Sequence, residues 1–183
     1  MITEEAAAVL GEAQEVYGSR RALDLARRHL NAHCTAREIR DYRRLDHLPP
    51  DAIILSTGDP MLSGLGYLEG EVIPGISSLQ VAAARLHLSL SRVSVVDAHG
   101  RDRAEALQDL MVDLHRGKWI FLLADPNLQP DAIAHTLSAE GTKGEIILCT
   151  NLGYPDELIV RGSIESPPAV QSRLFSVVII PSE

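Results

Sequence analysis

The sequence is poor in cysteine and lysine and has no long apolar run. Nothing in it approaches the roughly 18 consecutive apolar residues of a membrane-spanning helix. No charged start followed by an apolar stretch marks a secretory leader. The two cysteines, Cys34 and Cys149, stand far apart and match neither zinc-ligand nor redox spacing, so they read as reduced thiols of a cytoplasmic protein. HExxH, phosphate-loop and GxGxxG signatures are missing, which makes a nucleotide-binding doubly wound domain a poor reading. No Ser/His/Asp arrangement is evident. His29, His33, His47, His87, His115 and His135 show no metal-ligand spacing and are assigned to surfaces, so no protein metal site is expected. A formal charge of −8 argues against nucleic acid as a partner.

What is present points to a globular protein with a real core. The chain has 183 residues, of which 45% are apolar, long for one domain and short for two large ones. Fifteen of its seventeen basic residues are arginine. Eight of these, Arg20, Arg21, Arg27, Arg28, Arg37, Arg40, Arg43 and Arg44, fall in one region. Guanidinium forks match carboxylates in a way lysine cannot. A polycarboxylate surface is one reading; a solvated helix face in an arginine-rich sequence is the reading preferred for most of them.

Alternation of strand and helix signals predicts an α/β fold in two domains, 1–91 and 92–183, the first sheet largely parallel and the second mixed. Thr3 is an N-cap candidate ahead of Glu4 and Glu5, with Ala6, Val9, Leu10 and Ala13 at helical spacing. Short strands are expected at 14–17, 37–42 and 52–56, with a helix over 21–30. Another helix follows Ser77, and 88–92 reads as a linker. In the second half a strand ends at Asp97, and Leu107, Leu110, Met111 and Leu114 set a helix that stops at Gly117. Trp119 to Ala124 reads as a strand covered on both faces, Pro130 opens a helix, and strands follow at 145–150, 157–160 and 174–180.

The stretch Ile53–Ser78 carries the strongest functional signal. The apolar run Ile53–Leu55 ends in Ser56-Thr57-Gly58-Asp59-Pro60, and a second run, Val72-Ile73, ends in Pro74-Gly75-Ile76-Ser77-Ser78. Two strands are thus expected to stop in small-residue turns, and ligands of open α/β sheets bind at the carboxyl ends of strands. Glycine admits positive φ and close approach, and Asp59 either caps a helix or binds a ligand hydroxyl or amine. One of Ser77 and Ser78 is expected as an N-cap, leaving the other to face a ligand. His99-Gly100-Arg101 follows a strand. His99 is either an acid, base or substrate contact, or it packs in a turn with Arg101 solvated.

In this order, STGDP, PGISSLQ, HGRD, the Leu122-Leu123-Ala124-Asp125 strand end and Asn151-Leu152-Gly153-Tyr154-Pro155-Asp156-Glu157 resemble the tetrapyrrole methylase family over nearly the whole chain. The GDP and PGISS elements are shared across the family. The HGR and NLG..DE elements are most like the branch that methylates C5 of a cobalt-containing corrinoid precursor, with another ring position as the nearest rival. The resemblance implies two α/β domains, a homodimer, S-adenosylmethionine as methyl donor and a cobalt-containing tetrapyrrole substrate. It implies that Gly58, Asp59, Leu62, Ser77, Ser78, Leu123, Ala124, Asn151 and Leu152 contact the cofactor, and that His99 and Arg101 face the tetrapyrrole. A separate C15-methylating decarboxylase would act as pathway neighbour. The family's opening strand and GxGPG loop do not precede Thr3 in this sequence; a shortened, non-catalytic binding protein is therefore the rival from another class.

Overall fold

A computed structural model describes residues 2–42, 45, 47–99, 101–123, 125 and 128–182. Arg43, Arg44, Gly100 and Ala124, named above, lie outside the described residues. The chain forms two compact units, residues 1–78 and 79–183.

The first unit opens with helix α1 (Glu4–Glu12), where the Thr3 side chain accepts a hydrogen bond from the Ala6 amide. The glutamates at its start complement the positive end of the helix. Strand β1 (Glu15–Gly18) leads into α2 (Arg20–Ala26), capped by Ser19, and one 3₁₀ turn, Arg27–His29, closes that helix. Strands β2 (Thr35–Glu38) and β3 (Ile53–Leu55) flank β1 in a parallel three-stranded sheet ordered β2-β1-β3. Val16 is fully buried on the central strand, against Leu10, Ala13 and Ala26.

Two expectations are corrected here. The second strand lies at Thr35–Glu38 rather than 37–42, and all four of its residues are exposed. No apolar alternation marks it, because its place is set by main-chain pairing with Glu15–Gly18. The Val72-Ile73 run is no strand. Pro74 offers no amide to a ladder, and the segment is used instead to bring Pro74 and Gly75 against other loops, as described below.

The second unit contains α3 (Ser78–Leu86), β4 (Val93–Asp97), α4 (Arg103–His115), β5 (Trp119–Leu123), α5 (Pro130–Ala139), β6 (Gly144–Thr150), β7 (Leu158–Ser163) and β8 (Phe175–Pro181). Its sheet is mixed, ordered β4-β5-β8-β6-β7. Strand β4 pairs parallel with β5, while β8 runs antiparallel to both β5 and β6. Side chains alternate across the pleat. Ile120, Leu122, Ile146, Leu148, Val177 and Ile179 meet Ala106, Leu110 and Leu114 of α4 and Ile133 and Leu137 of α5 on one face. Phe121, Ile147, Cys149 and Val178 meet Ala82 and Leu86 of α3 on the other. Each large side chain buried this way stabilises by about 1.5–3 kcal/mol. Packing on this sheet places α3 in the second unit, so the compact units divide at Ser78, where the sequence reading set the change of domain at 91.

Candidate functional site

In the first unit the two expected turns meet. Gly58 has φ +84°, a left-handed value that a side chain disfavours. Gly75 packs on it so closely that an added Cβ would sit 2.9 Å from the Gly58 carbonyl carbon and closer still to its oxygen. Asp59 ties the turns together. Its Oδ1 accepts from the Met61 amide at 2.8 Å and its Oδ2 from the Gly75 amide at 3.3 Å. Leu62 donates its amide to the Asp59 carbonyl at 3.3 Å, so all three residues assigned to the first loop lie in one turn. The Thr3 hydroxyl donates to the Pro74 carbonyl at 3.0 Å, and Arg21 donates to the Thr57 hydroxyl at 2.7 Å. Ser77 is buried directly before α3, and Ser78 is that helix's first residue.

Among the described residues of the arginine-rich region, Arg21 reaches this loop through the Thr57 hydroxyl. Arg27 pairs with Asp24 and Arg37 with Glu15, a carboxylate that also takes the Tyr17 hydroxyl. Those hydrogen bonds, from Tyr17 first and Arg37 second, hold the Glu15 carboxyl below its usual range.

In the second unit the sheet gathers the remaining candidates. Strands β4, β5 and β6 run in the same direction, because β8 is antiparallel to both β5 and β6. The register aligns Asp97, Leu123, Ser176 and Cys149 in one row across the sheet. His99 and Arg101 therefore leave from the same edge as Leu123 and as Asn151-Leu152. The Ala98 amide donates to the Leu123 carbonyl at 3.0 Å, locking two of these strand ends together. The His99 amide donates to Asp97 Oδ1 at 2.8 Å, and its side chain is exposed. Arg101 is held by Asp109 at 3.0 Å and Glu105 at 3.9 Å.

Asn151 has φ +50°, unusual for a residue with a side chain. The loop after it explains how that conformation persists. The Asn151 side chain donates to Asp156 at 2.8 Å and accepts from Ser172 at 3.2 Å. Its amide donates to the Leu174 carbonyl, and its carbonyl accepts from the Tyr154 amide. The Gly153 amide donates to Glu157 Oε2 at 2.7 Å, and Arg85 donates to Glu157 Oε1 at 2.6 Å. These bonds, the Gly153 amide first, hold the Glu157 carboxyl below its usual range. Asn151 is thus a loop builder whose polar groups are all engaged, and half-buried Leu152 packs against the core beside it. The sequence quoted Asp156 and Glu157 within a motif but gave them no role; Arg85 and Ser172 carried no local signal at all.

Comparison with known proteins decides the family. The sequence profile of the tetrapyrrole (corrin/porphyrin) methylases matches residues 1–168. The chain belongs to the tetrapyrrole methylase family. It is thereby an S-adenosylmethionine-dependent tetrapyrrole methyltransferase. The chain is 30% identical over 179 residues to a probable cobalt-precorrin-7 C(5)-methyltransferase from Methanocaldococcus jannaschii, covering 90% of this chain and 83% of that protein. A precorrin-6Y methylase of cobalamin biosynthesis from Archaeoglobus fulgidus has a crystal structure that matches with TM-score 0.70 at 30% identity, over 99% of this chain and 92% of that one. A uroporphyrin-III C-methyltransferase from Thermus thermophilus, crystallised with S-adenosyl homocysteine, shares the fold at TM-score 0.71 and 18% identity, over 97% of this chain and 85% of that one.

The Gly58–Gly75 packing leaves main-chain groups where side chains would otherwise stand. Half-buried Leu123 and Leu152 supply apolar surface. No described helix is long and apolar enough to cross a membrane.

Proposed function

We propose that the protein methylates C5 of cobalt-precorrin-7 in cobalamin biosynthesis. The observation that carries this reading is the 30% identity, over 90% of this chain, to the Methanocaldococcus jannaschii C(5)-methyltransferase. The match to the Archaeoglobus fulgidus cobalamin enzyme supports the same pathway. A Sinorhizobium precorrin-6Y C(5,15)-methyltransferase is also similar, at 27% identity, but this chain covers only 35% of it.

In this reading Gly58, Asp59 and Leu62 receive the methionine and ribose end of the cofactor, with Ser77 and Ser78 beside them. Leu123, Ala124, Asn151 and Leu152 are the second unit's candidates for the same cofactor. S-Adenosylmethionine supplies a methyl group already activated on a sulfonium. The protein's task is to hold an electron-rich ring carbon in line with that methyl, and orientation of this kind is worth roughly 7–11 kcal/mol. A strong base is not required before transfer, which suits a site without a catalytic triad. His99 and Arg101 face the tetrapyrrole, whose carboxylates suit arginine. The active form is a homodimer in the cytoplasm, and light scattering of the purified protein checks the stoichiometry.

Incubation with S-adenosylmethionine and cobalt-precorrin-7, followed by mass and NMR analysis, tests the proposal. A single added methyl at C5 is expected. Methylation at another ring carbon would defeat the C5 assignment and leave the family intact.

A further inference from the structure

We propose that the second unit carries a carboxylate subsite centred on Arg103, which receives one acidic side chain of the tetrapyrrole. The inference rests on the functional reading above and adds a specificity residue to it. A cavity of about 230 Å³ lies at the ends of β4 and β5, lined by Ala98, Arg101, Asp102, Arg103, Asp125 and Leu128. Pockets that enclose a whole drug-sized ligand measure roughly 300–1,000 Å³. This one is too small for a macrocycle or a complete cofactor and suits a short acid side chain, its methylenes on Ala98 and Leu128.

The charges in the cavity are not equivalent. Asp102 is committed to the helix, since its Oδ1 accepts from the Ala104 amide at 2.8 Å and the Glu105 amide at 3.2 Å. Asp125 is likewise engaged. Arg101 is drawn to Asp109 and Glu105. Arg103 alone among these four has no ion pair or side-chain hydrogen bond within the described residues, and it stands exposed at the first position of α4. An unpaired guanidinium beside one fixed by its own carboxylates gives a fork that can close on an incoming carboxylate. The same sheet edge carries His99 and Leu123, so an acid group held here would anchor the ring beside the residues assigned to substrate and cofactor.

The test titrates the full-length protein with dicyanocobyrinic acid, a corrinoid with free carboxylates, and with its methyl ester, while calorimetry measures S-adenosylmethionine in parallel. The variants are Arg103→Gln, Arg103→Lys and Arg116→Gln, the last removing the same charge at the far end of α4. Arg103→Gln is expected to weaken the free acid about tenfold, the loss of one half-exposed charge-assisted contact. Arg103→Lys recovers part of the loss, Arg116→Gln changes nothing, and the ester and the cofactor are insensitive to all three. In turnover the loss appears in KM with kcat unchanged. If wild type prefers acid to ester but Arg103→Gln binds the acid equally well, the subsite is overturned and the functional reading stands. If wild type binds neither S-adenosylmethionine nor either corrinoid, the functional reading fails and the subsite with it.

Discussion

Glu157→Ala gives the sharpest perturbation of the loop assigned to the cofactor. Glu157 is only 18% exposed and holds two groups at once, the Gly153 amide at 2.7 Å and Arg85 at 2.6 Å. A hydrogen bond to a charged group contributes about 1.5–3 kcal/mol. The Arg85 contact adds about 0–1 kcal/mol, because that arginine is 53% exposed. Removal therefore costs about 1.5–4 kcal/mol, or a melting temperature lower by about 3–16 °C at this chain length. The same contact opposes relaxation of the left-handed Asn151 and Gly153. A shift of about 1.4 kcal/mol against the ordered loop weakens S-adenosylmethionine about tenfold by calorimetry. The pH dependence has a definite sign. The folded carboxyl lies below its ordinary 4.5, so its stabilisation is fully present above that value. It is lost as pH falls through the lower folded value. The stability gap between wild type and Glu157→Gln is therefore flat near neutrality and closes below about pH 4.5. Wild-type cofactor affinity in Glu157→Ala, with a gap that ignores pH, would refute the reasoning.

Other substitutions follow from the same geometry. Gly75→Ala forces a methyl onto the Gly58 peptide and should destabilise by about 1–3 kcal/mol in urea unfolding. Gly117→Ala, at a helix end with open space, serves as a comparison in which only the positive φ is strained. Asp59→Ala releases the Met61 and Gly75 amides, which should cost about 1–3 kcal/mol and weaken S-adenosylmethionine binding in the same calorimetric assay. Cys149 is 1% exposed, and burial first of all pushes its thiol up to about 12, so a thiol reagent at pH 8 should modify Cys34 and reach Cys149 only on unfolding. Rapid modification of both thiols in the folded protein would contradict the packing of β6.

The sequence made some elements plain because their causes are local. Thr3 caps α1, Pro130 opens α5, and the spacing of Leu107, Leu110 and Leu114 lays α4 on the sheet. The apolar run Trp119–Leu123 showed a strand covered on two faces, as α4 and α3 confirm by packing on opposite sides of it. The parallel first sheet and mixed second sheet also follow the expected pattern. Elements governed by distant partners were displaced. Thr35–Glu38 is polar and exposed, so only its pairing to β1 fixes it. Val72-Ile73 looks like a strand in isolation, yet Pro74 and Gly75 are committed to Thr3 and Asp59.

The site divides in the same way. Glycine-rich turns announced Gly58 and Gly75, because close approach needs a particular residue. Their mutual packing, and the carboxylate that joins them, depend on how the chain between the two turns folds back. The row through Asp97, Leu123, Ser176 and Cys149 joins segments far apart in the chain, so no window of sequence contains it. Glu157 and Arg85 are 72 residues apart and meet only because α3 packs on the second unit's sheet.

The reaction proposed for the protein is transfer of a methyl group to one ring carbon. The most direct measurement supplies S-adenosylmethionine labelled with ¹³C in its methyl group, together with cobalt-precorrin-7, and locates the label by NMR of the isolated product. One labelled methyl, at C5, is expected, with S-adenosyl homocysteine formed in equal amount. A label at any other carbon, or an unmodified substrate in the presence of bound cofactor, would contradict it.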